Sequence, residues 1–266
     1  MTGTGSGSAA SAAAPTPAFV QRAAPARRRV AAQALLEART ALRNGEQLII
    51  TLVLPTLLLV LLARTDLVDL GTTDRIGLVA PGVLAVAVMS TAFTSQAIAT
   101  GFDRRNGVLR RLATTPLGRG GLLAGKVTAV VVLEALQLAV LAGVALGLGW
   151  RPDPSGQGAA LGMLVLGTAA FTALALVLAG VLRAEGVLAI ANLLWVRLLA
   201  AGGVLLPPEM LPGLLADLAP WLPSGALGNG LRAAFGGGGL DVPAALVLAG
   251  WTAALAGATA RTFRWE

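Results

Sequence analysis

Apolar residues in this chain neither alternate with polar ones nor keep to one helical face; they run on without interruption. Six such runs stand between clusters of charge and helix breakers: Gln47 to Ala63, Ile76 to Thr100, Val127 to Trp150, Gly158 to Leu182, Val187 to Leu206 and Val242 to Ala260. A helix needs roughly 17 to 25 mostly apolar residues to cross the hydrocarbon of a bilayer, and each run has about that length. Membrane barrel strands alternate over about ten residues, so these runs predict helices. The implied fold class is an all-α integral membrane protein with six transmembrane helices. The first run carries Pro55, whose missing N–H predicts a kink that neighbouring groups can accommodate inside a membrane.

Two segments precede the first run. Residues 1–26 are mostly Gly, Ser, Ala, Thr and Pro; they lack the apolar core of a signal peptide and read as a disordered cytoplasmic tail. Residues 27–44 set Val30, Ala34, Leu35, Ala38 and Leu42 at helical spacing, with Arg39 and Arg43 one turn apart. That pattern fits an amphipathic helix on the inner leaflet; a short extension of the first span is the alternative. Residues 45–266 then make up the six-span domain.

Composition agrees, with 56% apolar and 12% charged residues against about 25% charged in soluble proteins. Charge also orients the chain, because Lys and Arg near span ends are retained in the cytoplasm. One set of connecting segments holds Arg22, Arg27, Arg28, Arg29, Arg39, Arg43, Arg104, Arg105, Arg110, Arg111, Arg119, Lys126, Arg183, Arg261 and Arg264; the other holds only Arg64, Arg75, Arg151 and Arg232. Both termini are therefore expected on the cytoplasmic side. The pI of about 11.6 is a topology signal, since a nucleic-acid partner needs a basic face on a soluble domain and the chain offers none.

The chain has no Cys and no His. Disulfides, thiolate or imidazole metal sites, Ser-His and Cys-His hydrolysis and zinc proteolysis are excluded with them. No catalytic residue, bound cofactor or metal site is expected. The segment Gly120-Gly121-Leu122-Leu123-Ala124-Gly125-Lys126 matches the start of a phosphate-binding loop, but Val127 stands where the hydroxyl residue belongs and no strand precedes it. ATP and Mg are expected on a partner ATPase instead.

The connection Gly101 to Gly125 is the most specific segment. Phe102, Val108, Leu109 and Leu112 can share one face of a short helix, Arg104, Arg105, Arg110 and Arg111 the other, and Pro116 turns Thr115 away from helix and closes it. The plainer reading gives these arginines only topology and contact with anionic lipid. The order Phe-Asp-Arg-Arg-Asn-Gly-Val-Leu-Arg-Arg-Leu-Ala-Thr-Thr-Pro-Leu over residues 102 to 117, followed by Leu-Leu-Ala-Gly-Lys, resembles the cytoplasmic loop of permease subunits of type-2 ATP-binding-cassette (ABC) exporters. A second block is similar to the same family near its end: Gly202-Gly203, Pro207-Pro208, Leu211-Pro212, Leu222-Pro223 and Leu231-Arg232. The resemblance covers about residues 27 to 264.

The resemblance implies a homodimeric or heterodimeric permease in the cell membrane, working with a separate ABC ATPase subunit. Phe102, Asp103, Arg104, Arg105, Gly107, Val108, Leu109, Arg111, Leu112, Thr115 and Pro116 would form the coupling helix that docks on that ATPase through its apolar face. Pro207, Pro208, Leu211, Pro212 and Pro223 would belong to an extracellular re-entrant segment; an ordinary external loop stiffened by prolines is the alternative. The cargo would be a small amphipathic drug-, antibiotic- or lipid-like molecule moved outward. A membrane anchor or assembly factor without transport is the competing reading.

Polar residues inside spans are candidates for function. Glu134 and Arg197 lie at similar depth and could pair; alternatively Arg197 snorkels or faces a wet cavity and Glu134 sits against Gln137. Asn192, Gln137 and Gln96 either line a pathway or bond neighbouring helices.

Overall fold

The computed structural model describes residues 24–43, 45, 49–65, 72–113 and 116–262. Most of the expected tail, the start of the first run at Gln47, Thr115 and Glu266 lie outside them. Among the described residues there are ten α-helices and no strand: α1 Ala26–Arg43, α2 Leu54–Arg64, α3 Arg75–Arg105, α4 Val108–Ala113, α5 Gly118–Gly147, α6 Gln157–Val181, α7 Ala184–Ala201, α8 Leu214–Leu218, α9 Pro223–Phe235 and α10 Val242–Thr262. Five of them, α3, α5, α6, α7 and α10, are long and apolar enough to cross a membrane, and Thr51–Arg64 is a shorter apolar helix. The chain is an all-α multi-pass membrane protein.

Several boundaries move from those the apolar runs suggest. α3 continues past Thr100 to Arg105, and α5 begins at Gly118, nine residues before Val127. The expected loop Gly101 to Gly125 is therefore mostly helix, because Arg, Lys and Gly interrupt hydropathy without ending hydrogen bonding. α7 stops at Ala201 rather than Leu206, where Gly202 and Gly203 begin a turn.

α3 is the central helix. Of its most apolar window 78% is buried, against 22% for α7 and 17% for α10, whose outer faces are left to lipid or a partner. Lipid tails are as apolar as these side chains, so the bundle is held by close packing rather than by withdrawal from water. Phe93 of α3 and Phe171 of α6, both fully buried, meet with ring centroids 6.5 Å apart. At the end opposite the Arg-rich turn, Trp150 meets Phe235 edge to face at 4.9 Å.

Among the described residues two π-helical stretches interrupt the ladder. Ile49–Val53 leads into Pro55, which has no N–H to give the carbonyl of Thr51 four residues back. Gln137 Nε2 on α5 donates to that carbonyl instead. The second, Met89–Ser95, lies in the middle of α3, a place where such bulges often mark functional positions.

After α7 the chain folds back into the bundle. From the residue before α6 into its third turn, Gly156 faces Ala234, Met163 faces Gly230, and Gly167 faces Leu227, so α9 runs antiparallel beside α6 over about seven of its own residues, roughly 10 Å. A Cβ on Gly225 would strike the carbonyls of Ala219 and Gly202, so only glycine lets the start of α9 pass those two residues. Arg232 Nη1 donates to the carbonyl of Val204, and Nη2 to the carbonyl of Gly203 and to Asn229 Oδ1. Burial lowers the Arg232 guanidinium to about 10, with the charge of Glu209 opposing the shift.

Candidate functional site

The Arg-rich turn is built by two glycines. α3 ends as Asn106 N–H bonds the carbonyl of Phe102 and Gly107 N–H that of Arg104. Gly107 then adopts φ +69° and Gly118 φ +67°, left-handed values that glycine reaches without the roughly 1–2 kcal/mol penalty of other residues. Between them stands α4, six residues long. Phe102 lies on α3 rather than on the short helix, so the single face expected for Phe102, Val108, Leu109 and Leu112 is divided between two helices.

That division changes what the turn can present. Leu109 is 1% exposed and Val108 lines a cavity inside the chain. Of the apolar face expected to meet a partner, Val108 and Leu109 are turned into the protein, and among the described side chains of the turn Arg105, Asn106, Arg111 and Pro116 are exposed. Leu112 has its backbone in α4, and Pro116 opens the turn into α5.

Charged side chains tie the turn to four other helices. Lys126, in the third turn of α5 and 2% exposed, bonds Asp103 Oδ2 at 2.7 Å and Glu37 Oε1 of α1 at 3.2 Å. Gln33 Nε2 holds the same Glu37 at 2.8 Å. Arg104 Nη1 donates to the carbonyls of Ala179 and Gly180 at 3.0 and 2.9 Å, closing the C-terminal end of α6, where carbonyls lack helical donors and the dipole favours a cation. Arg105 pairs with Glu185 in the first turn of α7 at 2.6 Å. The Lys126 of the phosphate-loop lookalike is thus occupied by two carboxylates within a helix.

Behind the turn lies a cavity of about 400 Å³ between α1, α3, α5 and the π-turn before α2. Its polar wall includes Thr51, Thr91, Ser95, Gln96 and Gln137, besides the Glu37–Lys126–Asp103 cluster. Gln137 accepts from Thr91 Oγ1 at 2.7 Å while donating to Thr51, which joins both π-helical stretches to α5. Trp195 Nε1 of α7 donates to Ser90 Oγ at 3.2 Å, so the second π stretch also reaches α7.

The other expected polar positions fall elsewhere. Glu134 and Arg197 make no pair: Thr168 Oγ1 donates to Glu134 Oε2 at 2.7 Å, while Arg197 is exposed on α7. Equal depth did not suffice, because Glu134 turns inward against α6 while Arg197 points out of the bundle. Asn192 is exposed and donates to the carbonyl of Leu188 one turn back, and Gln96 bonds Thr100 on its own helix. Gly143 and Gly147 face open space. At the opposite end, Pro208 and Pro223 are buried, Leu211 packs on Gly203, Pro207 is half-buried and Pro212 is exposed.

A helix-turn-helix junction wired to every neighbouring helix and a folded-back block before the last span occur in the order that the resemblance implied. The family model of the ABC-2 type transporter matches residues 33–235, well over half of the chain. The chain belongs to the ABC-2 type transporter family. The match runs from α1 through α9 and takes in both the Arg-rich turn and the folded-back block. No curated protein matches the chain significantly. As an ABC-2 membrane domain, the chain is a transporter's membrane component, and its family works with an ABC ATPase subunit.

The Glu37–Lys126–Asp103 cluster was not legible in the sequence, since 89 residues separate Lys126 from Glu37. The one available signal was a lysine only one residue before a long apolar run.

Proposed function

We propose that this chain is the permease subunit of an ABC exporter, driven by ATP hydrolysed on a separate subunit and moving an amphipathic molecule out of the cytoplasm or inner leaflet. The observation that carries the reading is the wiring of the turn. Arg104, Arg105, Asp103 and Lys126 link one connection to α6, α7, α1 and α5, so a push on Asn106 or Arg111 reaches four helices through short polar contacts. In this reading the ATPase meets the charged outer surface of the turn, and Val108 and Leu109 of α4 fasten it to the bundle.

Fifteen basic residues fall in the connecting segments on the side of the turn and four in those on the other, an asymmetry that supports a cytoplasmic turn and cytoplasmic termini in a plasma-membrane protein. α8 and α9 then form the re-entrant segment of the outer half, and the permease works as a homo- or heterodimer. The polar cavity behind the turn, beside the π stretch of α3, is suited to a cargo with both polar and apolar parts.

The experiment is co-expression with a candidate ABC ATPase, followed by purification in lipid discs. The parent chain should co-purify with the ATPase and change its turnover, and Arg105→Glu combined with Arg111→Glu should abolish both while the permease still inserts. Unchanged association of the doubly reversed chain would reject the turn as the docking surface, and an absence of any ATPase partner would favour an anchor without transport.

A further inference from the structure

On the far side of α5 from the polar cavity, a groove of about 750 Å³ lies between α5, α6 and α10. Its rim residues Val127, Val131, Leu161 and Val165 are 40 to 63% exposed, so it opens where acyl chains lie. The walls are Leu, Val and Ala except for Glu134, Thr168, Thr172 and Thr259.

Two oxygens in this groove lack partners. Glu134 is 4% exposed, and its Oε1 is buried without a hydrogen-bond partner. Its Oε2 depends on Thr168 Oγ1, whose single proton is shared with the carbonyl of Leu164 at 2.8 Å. Thr172 Oγ1, one turn along α6, is also buried without a partner. Among the described residues no Lys or Arg lines the groove. A lone carboxyl in hydrocarbon is costly, and such groups pair or mark substrate paths.

We propose that the groove binds a lipophilic amine in its protonated form. The ammonium would donate to Glu134 Oε1 and to the Thr172 hydroxyl oxygen, and the apolar body would lie along the Leu, Val and Ala walls. Charge complementarity selects a cation, and an ammonium supplies the N–H donors that both oxygens lack. Depth selects against a phospholipid headgroup: Glu134 lies eight residues, roughly 12 Å, beyond Lys126 along α5, where a phosphate could not follow. The site needs no ATPase, so it stands or falls separately from the export reading.

The test is equilibrium binding of tritiated dodecylamine to the full chain in uncharged lipid discs, with empty discs subtracted. Saturable binding is expected, with no competition from dodecanol, which has the same chain and no charge. Glu134→Gln should weaken binding about tenfold or more, as for loss of a charge-assisted hydrogen bond. Ala256→Phe, at an exposed wall position, should block the groove with Glu134 intact. Thr172→Val should weaken binding as well, and together with Ala256→Phe it decides the matter if Glu134→Gln does not fold. Equal affinity for parent and Glu134→Gln, or equal competition by dodecanol, would overturn the proposal. So would displacement by phosphatidylethanolamine, or a parent that binds no amine and an Ala256→Phe chain that loses its dimer, which would assign the groove to a second copy.

Discussion

Lys126 offers the sharpest perturbation of the turn. Its ammonium is 3% exposed as a side chain and faces two carboxylates, Asp103 at 2.7 Å and Glu37 at 3.2 Å, with 33% and 20% of their side-chain surfaces open. Breaking a fully buried pair by removing one partner costs about 3–5 kcal/mol because a charge is stranded. Both carboxylates keep part of their contact with water, so Lys126→Met should cost less, on the order of 2 kcal/mol. For a chain of this size that is a fall of roughly 4–8 °C in the unfolding midpoint. Adding Asp103→Asn and Glu37→Gln removes the like charges that Lys126 holds together, and the triple variant should recover most of the loss. Thermal unfolding of the purified chain, with ATPase stimulation measured on each variant, checks both expectations. A Lys126→Met chain melting with the parent, or a triple variant whose loss equals the sum of the single losses, would show that the cluster does not bind the turn to α1 and α5.

Two other substitutions probe the backbone and the cavity. Gly107→Ala should destabilise by about 1–2 kcal/mol and lower ATPase stimulation, because Gly107 holds φ +69°, whereas Gly143→Ala, in open space on a regular helix, should leave both unchanged; parallel melting and ATPase curves separate them. Gln137→Leu strands the Thr91 hydroxyl and removes a donor from Thr51, so a loss of about 1–3 kcal/mol is expected, with the parent midpoint regained in part by adding Thr91→Val.

Uninterrupted hydropathy revealed the spans because no other arrangement buries so much apolar chain, and it placed α6 and α10 to within about two residues. It misplaced the ends of α3 and α5, since Asp103, Arg104 and Lys126 read as loop by charge yet bond each other, α1 and α6 from within helices. Glycine at 107 and 118 was visible, but its left-handed conformation there depends on the chain reversing between two long helices. The depth argument that paired Glu134 with Arg197 failed because depth along a helix says nothing about the direction a side chain takes around it. The folded-back block was legible through its prolines, while the fit of α9 against α6 rests on Gly156, Gly167 and Gly230, three of 34 glycines that nothing local distinguishes.

The central claim is that the exposed outer surface of the turn meets the ATPase. The chain contains no cysteine, so Asn106→Cys and, at the opposite end of the bundle, Asp74→Cys each introduce one thiol at an exposed position. Both are treated with a short bifunctional reagent in membranes containing the ABC ATPase. A cross-linked permease–ATPase band from Asn106→Cys alone is the predicted result. A band from Asp74→Cys, or none from Asn106→Cys while the two proteins still co-purify, would contradict the account.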